Sequence, residues 1–139
     1  MSKESFRSDE TAHFSDDLIA NQAPVLTEEE ASAVAALPEN SALLISHRGA
    51  GAGSRFLLDQ DLTVAGRHPE ADIFLDDVTV SRRHVQFDRK QRSFTLTDLG
   101  SMNGTYVDGA RVDSVQLTTG TEILIGKFRL TFYSSQKDS

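Results

Sequence analysis

From Ala42 onward the chain is built of short runs in which apolar and polar residues alternate with a period near two, as in Phe128-Arg129-Leu130-Thr131-Phe132 and Ser93-Phe94-Thr95-Leu96-Thr97. That period puts every second side chain on one face of a pleated strand, whereas a helix with the same pattern would scatter its apolar residues around the axis. Runs over 41–47, 54–58, 61–66, 72–75, 83–88, 93–98, 104–107, 110–112, 122–126 and 128–134 read as strands, separated by turn signals such as Asp108-Gly109 and Thr119-Gly120. No helical pattern of comparable length follows any of them, so the predicted class is all-β. About ten to eleven short strands fit two packed sheets, which close most of the edges that an open sheet would leave. No longer period recurs, which excludes a propeller or a solenoid.

Composition narrows the function classes. The chain has no cysteine, which removes disulfide staples, cysteine-ligated zinc, iron–sulfur clusters and thiol catalysis together. No apolar stretch reaches the ~18 residues of a membrane span, and the N-terminal MSKESFRSDETAHF lacks the apolar core of a secretory signal, so a cytoplasmic location away from membranes is expected. The net charge of -7 is unevenly placed: residues 1–40 hold nine acidic residues against Lys3 and Arg7, while residues 41–139 hold twelve of each sign. A neutral body argues against nucleic-acid binding. The predicted organisation is a disordered acidic tail over 1–40, a domain over 41–134 and a frayed end over 135–139. Within the tail, Thr27-Glu28-Glu29-Glu30 ahead of an alanine-rich stretch is a capping-box signature for one short helix ending before Pro38.

Three polar segments break the alternation: Ala65-Gly66-Arg67-His68-Pro69, Val80-Ser81-Arg82-Arg83-His84, and Asp98-Leu99-Gly100-Ser101-Met102-Asn103-Gly104-Thr105. Gly-Arg, then Ser-x-x-His, then Leu-Gly-Ser-x-Asn-Gly-Thr at these intervals resembles the forkhead-associated (FHA) domain, a β-sandwich that recognises phosphothreonine in partner proteins. The resemblance covers roughly residues 41–133. It implies Arg67 and Ser81 as the principal phosphate contacts, Asn103 as a contact to the ligand backbone, and His84 as a structural residue holding Ser81. The residue chemistry agrees, since a phosphate dianion calls for a planar guanidinium and neutral donors on a rigid frame. Arg82 is a candidate third contact, although Arg82 and Arg83, being adjacent, would point to opposite faces of a strand. Asn103-Gly104 also reads as a hairpin turn, and both roles of Asn103 can coexist. Gly66, Gly104 and Gly100 permit tight backbone paths.

Other readings of the same residues remain to be weighed. Ser81 as a nucleophile with His84 as base and Asp77 or Asp98 as the orienting carboxylate would make a hydrolase, but no Gly-x-Ser-x-Gly elbow presents the serine, and a non-enzyme is expected. Gly49-Ala50-Gly51-Ala52-Gly53-Ser54 has no following helix and no Lys-Ser or Lys-Thr, so it reads as a hairpin loop rather than a nucleotide site. His13, His47, His68 and His84 lie in separate segments without ligand spacing, and no metal or cofactor is expected. Arg89-Lys90-Gln91-Arg92 reads as a solvated hairpin tip.

Further matches, in Ser41-Ala42-Leu43-Leu44, Gly53 through Gln60, Gly66 through Val85, and Ile125-Gly126-Lys127-Phe128-Arg129-Leu130, make the chain similar to a group of actinobacterial regulators within the FHA family. In that group a Ser/Thr protein kinase phosphorylates a threonine of the N-terminal tail. The protein's own FHA domain then captures the phosphorylated tail and releases metabolic enzymes that it otherwise inhibits. The resemblance implies partners such as the oxoglutarate dehydrogenase complex or glutamate dehydrogenase. The group's tail carries two adjacent threonines; here Glu10 precedes Thr11 in Asp9-Glu10-Thr11-Ala12-His13-Phe14, which makes Thr11 the predicted phosphorylation site. As flexible coil, the stretch from Thr11 to Ser41 spans roughly 30 Å, enough to reach any loop of its own domain at an effective concentration on the order of millimolar. The alternative within the same family is a plain adaptor that docks phosphorylated partners, with a tail that is only a solvated leader.

Overall fold

The alternating runs become eleven strands, and their hydrogen-bonding follows the placement of the apolar side chains. The computed structural model describes residues 26–137. One helix, α1 (Glu28–Ala35), precedes β1 (Ala42–Ile45), β2 (Arg55–Leu58), β3 (Leu62–Gly66), β4 (Ile73–Phe74), β5 (Val85–Lys90), β6 (Ser93–Asp98), β7 (Thr105–Val107), β8 (Ala110–Val112), β9 (Ser114–Leu117), β10 (Glu122–Ile125) and β11 (Phe128–Ser134). A six-stranded sheet runs β2-β1-β11-β10-β7-β8 and a five-stranded sheet runs β4-β3-β5-β6-β9. Only the short β3–β4 pair is parallel. The expected all-β sandwich is therefore the observed one.

The two sheets bury their inward-facing residues against each other. Leu44, Leu58, Ile123, Ile125, Leu130 and Phe132 come from one sheet, and Ala65, Val85, Phe87, Phe94, Leu96 and Leu117 from the other. Phe94 and Phe132 meet edge to face across the layer, with ring centroids 5.4 Å apart. Strand β1 departs from alternation: all four of Ala42-Leu43-Leu44-Ile45 are buried. An uninterrupted apolar run marks a strand covered on both faces, and α1 supplies the second cover. Val34 and Leu37 pack on Leu43, Ile45 and Tyr133 outside the six-stranded sheet.

Helix α1 begins as the capping-box signature predicts. The Glu30 amide donates to Thr27 Oγ1 at 3.1 Å and the Thr27 amide donates to Glu30 Oε1 at 2.9 Å. The helix is nonetheless part of the body, because His47 bonds the Tyr133 hydroxyl at 2.8 Å and lies 3.6 Å from Glu30, while Arg55 pairs with Glu29 at 3.3 Å. The expected boundary at Ser41 thus falls inside continuous packing, and the described part of the acidic segment, from Leu26, is ordered against the sheet. The other end is similar. Over 135–137, expected to fray, the Ser135 amide donates to Ser41 O at 2.9 Å and its hydroxyl to Leu37 O at 3.1 Å.

Several boundaries moved for identifiable reasons. β9 was not among the predicted strands: Ser114-Val115-Gln116-Leu117 has only two apolar residues, and the chain changes sheet immediately before it. β5 starts at Val85 rather than 83 because Arg83 and His84 belong to a loop. Gly49 through Gly53 closes the β1–β2 hairpin, with the Ser46 amide donating to Ser54 O at 2.9 Å. The basic hairpin tip is engaged within the molecule: Arg89 reaches Asp61 at 3.1 Å and Asn40 O at 2.9 Å, and Arg92 lies 3.8 Å from Glu39.

Candidate functional site

The three polar segments converge at one end of the sandwich, where the β3–β4, β4–β5 and β6–β7 loops bond one another. Strand β3 ends at Gly66, whose missing side chain is a packing requirement: a Cβ there would meet the Arg82 carbonyl oxygen at 2.0 Å. This close approach lets the Arg67 amide donate to Ser81 O at 3.0 Å and the His68 amide to Arg82 O at 3.3 Å, which stitches the β3 end to the β4–β5 loop. Arg67 Nε then donates to Val80 O at 2.9 Å. One edge of the guanidinium is fixed in this way, and its two terminal nitrogens have no partner among the described residues.

His84 is fully buried at the centre of the scaffold. The Ser81 amide donates to its Nδ1 at 3.0 Å, so Nδ1 is the unprotonated nitrogen and Nε2 carries the hydrogen that goes to Gly104 O at 2.9 Å. The imidazole therefore joins two loops in its neutral form. Ser81 Oγ accepts from the Met102 amide at 3.0 Å, which orients the hydroxyl and leaves its hydrogen to be donated outward. Asn103 Nδ2 donates to Thr79 O at 3.0 Å, linking the β6–β7 and β4–β5 loops again. Gly104 adopts φ +84°, and Arg111 from β8 lies across it, so close that a Cβ would stand 2.8 Å from Arg111 Nε.

Two carboxylates lock the loops. Burial by itself would raise the Asp98 carboxyl, but the Ser101 and Thr105 hydroxyls at 2.5 and 2.6 Å, with the Ser101 and Gly100 amides, outweigh it and hold the group below its ordinary value. Asp77 is held down to about 2 by hydrogen bonds from Lys127, at 2.8 Å, and from the hydroxyl and amide of Thr79. The Thr79 hydroxyl in turn accepts the Lys127 amide at 3.1 Å, which ties the β4–β5 loop to the β10–β11 turn. Neither carboxylate touches His84, and His84 bonds the Ser81 backbone rather than its hydroxyl. The serine–histidine–aspartate reading is thus not assembled.

The fold brings together Gly66, Arg67, Ser81, Asn103, His84 and Gly104. It also places Arg82 and Arg83 on one shallow cleft with His68, Glu70 and Asp72. The expected divergence of the two arginines does not arise, because they precede β5 and strand alternation does not apply to them. Thr11 lies outside the described residues. Sequence reasoning missed three features: Arg111 beside Gly104, and the exposed apolar side chains Val78 and Met102, 86% and 87% accessible, which project from the two linked loops. Val78 and Met102 had a weak signal, an apolar residue inside a polar turn segment; Arg111 had none, since only the β7–β8 pairing carries it to the loop end. Among the described residues no group of His, Cys, Asp and Glu side chains could hold a metal, and no helix is long and apolar enough to cross a membrane.

A β-sandwich whose loop end is organised by Gly-Arg, Ser-x-x-His and Asn-Gly defines a class of binding module, and the comparisons agree: the FHA domain family model matches residues 63–126. The chain belongs to the FHA family. The glycogen accumulation regulator GarA of Mycobacterium tuberculosis is 58% identical over 111 residues, covering 80% of this chain and 68% of the relative. The oxoglutarate dehydrogenase inhibitor of Corynebacterium jeikeium is 58% identical over 106 residues, covering 76% and 74%. Among solved structures, one from a study of phosphothreonine-dependent FHA domain interactions shares the fold at TM-score 0.63 and 30% identity, over 71% of this chain and 99% of that one. The relatives are named as regulators and inhibitors, in keeping with a binding module.

Proposed function

We propose that the loop end binds phosphothreonine and that the protein is a regulator of central-metabolic enzymes governed by that site. The observation that carries the reading is the Arg67–Ser81 pair: a guanidinium anchored through Nε with both terminal nitrogens unpartnered among the described residues, beside a hydroxyl oriented to donate outward. Both donors are positioned before a ligand arrives, which limits the ordering cost of binding. In this reading Arg67 and Ser81 take phosphate oxygens, Arg82 adds charge, and Asn103, whose amide nitrogen is held by Thr79 O, presents its carbonyl oxygen to the ligand backbone. Gly66, His84 and Gly104 are scaffold.

The name of the Corynebacterium relative, an oxoglutarate dehydrogenase inhibitor, supports a target such as the oxoglutarate dehydrogenase complex. In this reading that enzyme, or glutamate dehydrogenase as the family resemblance implies, is bound and inhibited while the protein is unphosphorylated. Phosphorylation of Thr11 by a Ser/Thr protein kinase then supplies an intramolecular ligand that occupies the site. Because α1 is docked, fourteen residues lie between Thr11 and Leu26; a free coil of that length would span about 20 Å root-mean-square. Phosphate adds about -1.5 to -2 charges and three acceptors.

The test is an NMR titration of the unphosphorylated full chain with a peptide of residues 5–18, with and without phosphate on Thr11. Shifts at Arg67, Ser81 and Asn103 with the phosphopeptide alone are expected, and binding of neither peptide would overturn tail capture. Kinase treatment separates this switch from a plain adaptor: in the switch, a phosphorylated tail competes away external phosphopeptide, whereas in an adaptor it does not.

A further inference from the structure

Charge pairing divides the described arginines into two sets. Arg48, Arg55, Arg89, Arg92 and Arg129 each stand within 4 Å of a carboxylate, on Glu122, Glu29, Asp61, Glu39 and again Glu122. Arg67, Arg82, Arg83 and Arg111 have no acidic partner among the described residues, and all four lie at the loop end. Three carboxylates there are engaged, Asp77 by Lys127 and Thr79, Asp98 by Ser101 and Thr105, and Asp72 by the Val64 amide at 2.9 Å, while Glu70, Asp76 and Asp113 stand more than 4 Å from any of the four guanidinium groups. One phosphate needs Arg67 and a neighbour, not four guanidinium groups. Arg83 lies toward the β3–β4 loop, in the cleft with His68, Glu70 and Asp72, and neither carboxylate comes within 4 Å of its guanidinium. Arg111 lies toward the β6–β7 loop, across Gly104. Ser81 joins both loops, bonded through its backbone to Arg67 and through its hydroxyl to Met102.

The chain itself contains a complementary segment. Thr11 is preceded by Asp9 and Glu10 and followed by Asp16 and Asp17, within a segment holding nine acidic and two basic residues over positions 1–40. We propose that Arg83 and Arg111 are specificity residues that select acidic side chains on both flanks of a phosphothreonine, and that residues 9–17 of this chain are the ligand they select. This deepens the phosphothreonine reading and rests on it. Long guanidinium side chains at two separate loops of the same end reach carboxylates several residues away along an extended peptide, and such rim charges act mainly on specificity and encounter rate.

The experiment is a titration of the unphosphorylated full chain with two phosphopeptides of residues 5–18, one natural and one with Asp9→Asn, Glu10→Gln, Asp16→Asn and Asp17→Asn. The neutral-flank peptide is expected to bind about tenfold more weakly at low salt, a gap that closes as salt rises. In the Arg83→Gln/Arg111→Gln protein the two peptides are expected to bind within about threefold of each other, with an amide spectrum that matches the parent away from the substituted positions. Equal binding of both peptides by the parent, or an undiminished gap in the double variant, overturns the proposal. If both peptides bind the parent equally and both are lost on Arg67→Ala, the phosphothreonine reading stands without flank selection. If neither binds the parent, both fall.

Discussion

The loop end and the α1-covered face each centre on a histidine, and the contrast between them separates a site from a seam. At the loop end His84 uses both ring nitrogens on backbone groups, so the scaffold closes around it while the arginines at the rim keep their donors. On the helix face His47 bonds Tyr133 and faces Glu30, and the surrounding charges are matched within the molecule. Burial there, and the Glu30 carboxylate next, push the Tyr133 hydroxyl up to about 12, so it stays neutral at any working pH. Polar groups satisfied internally hold a structure together, whereas donors fixed but unpartnered mark where a ligand fits.

The sharpest way to break that contrast is Gly66→Ala. Its Cβ would collide with the Arg82 carbonyl, which should cost on the order of 3 kcal/mol and disrupt the loop end as a unit; urea unfolding with an amide spectrum checks both. Arg67→Ala should do the reverse: stability within about 1 kcal/mol of the parent and a loss of about 100-fold in phosphopeptide affinity, roughly 2.7 kcal/mol, by calorimetry. Leu37→Ala attacks the seam, with about 2 kcal/mol lost and phosphopeptide affinity unchanged at protein concentrations where the fold persists. Thr27→Ala removes one half of the capping box and should lower stability by about 1 kcal/mol, read as an earlier loss of protection in α1 amides by hydrogen exchange.

Acid sharpens the comparison most gradually. The Asp77, Asp98 and Glu30 carboxyls all lie below their ordinary values, Asp77 at about 2. For Glu30 the backbone of Thr27 is the main cause, with burial opposing and His47 assisting. A depressed carboxylate adds stability above its unfolded value, near 4, and loses it as the pH falls through the folded one. The thermal midpoint should hold above pH 5 and fall between about 4 and 2; a midpoint unchanged to pH 2 would contradict the assigned hydrogen bonds.

Much of this architecture is legible in the residues. Alternation in β6 and β11 reveals their inward faces, and the Thr27 capping box reveals where α1 starts. The loop motifs point to Arg67, Ser81 and His84 because polar residues interrupt the alternation there and their spacing resembles that of the FHA domain. β9 stays hidden because a four-residue edge strand with Val115 and Leu117 carries too little pattern. The boundary at Ser41 misleads for a different reason: Val34 and Leu37 look too sparse to order a tail, and only the outer face of β1 makes them sufficient.

What the chain determines alone is therefore whatever a short stretch can express: strand period, turn residues, the cap, and the lopsided charge of the first forty positions. Tertiary structure decides what depends on distant segments meeting. It brings Arg111 of β8 against Gly104, sets Arg82 and Arg83 on one cleft, lays α1 over β1 and β11, and leaves four arginines at the loop end without an acid. Periodicity is a property of neighbours in sequence, while pairing and burial are properties of neighbours in space, and no local pattern records the second.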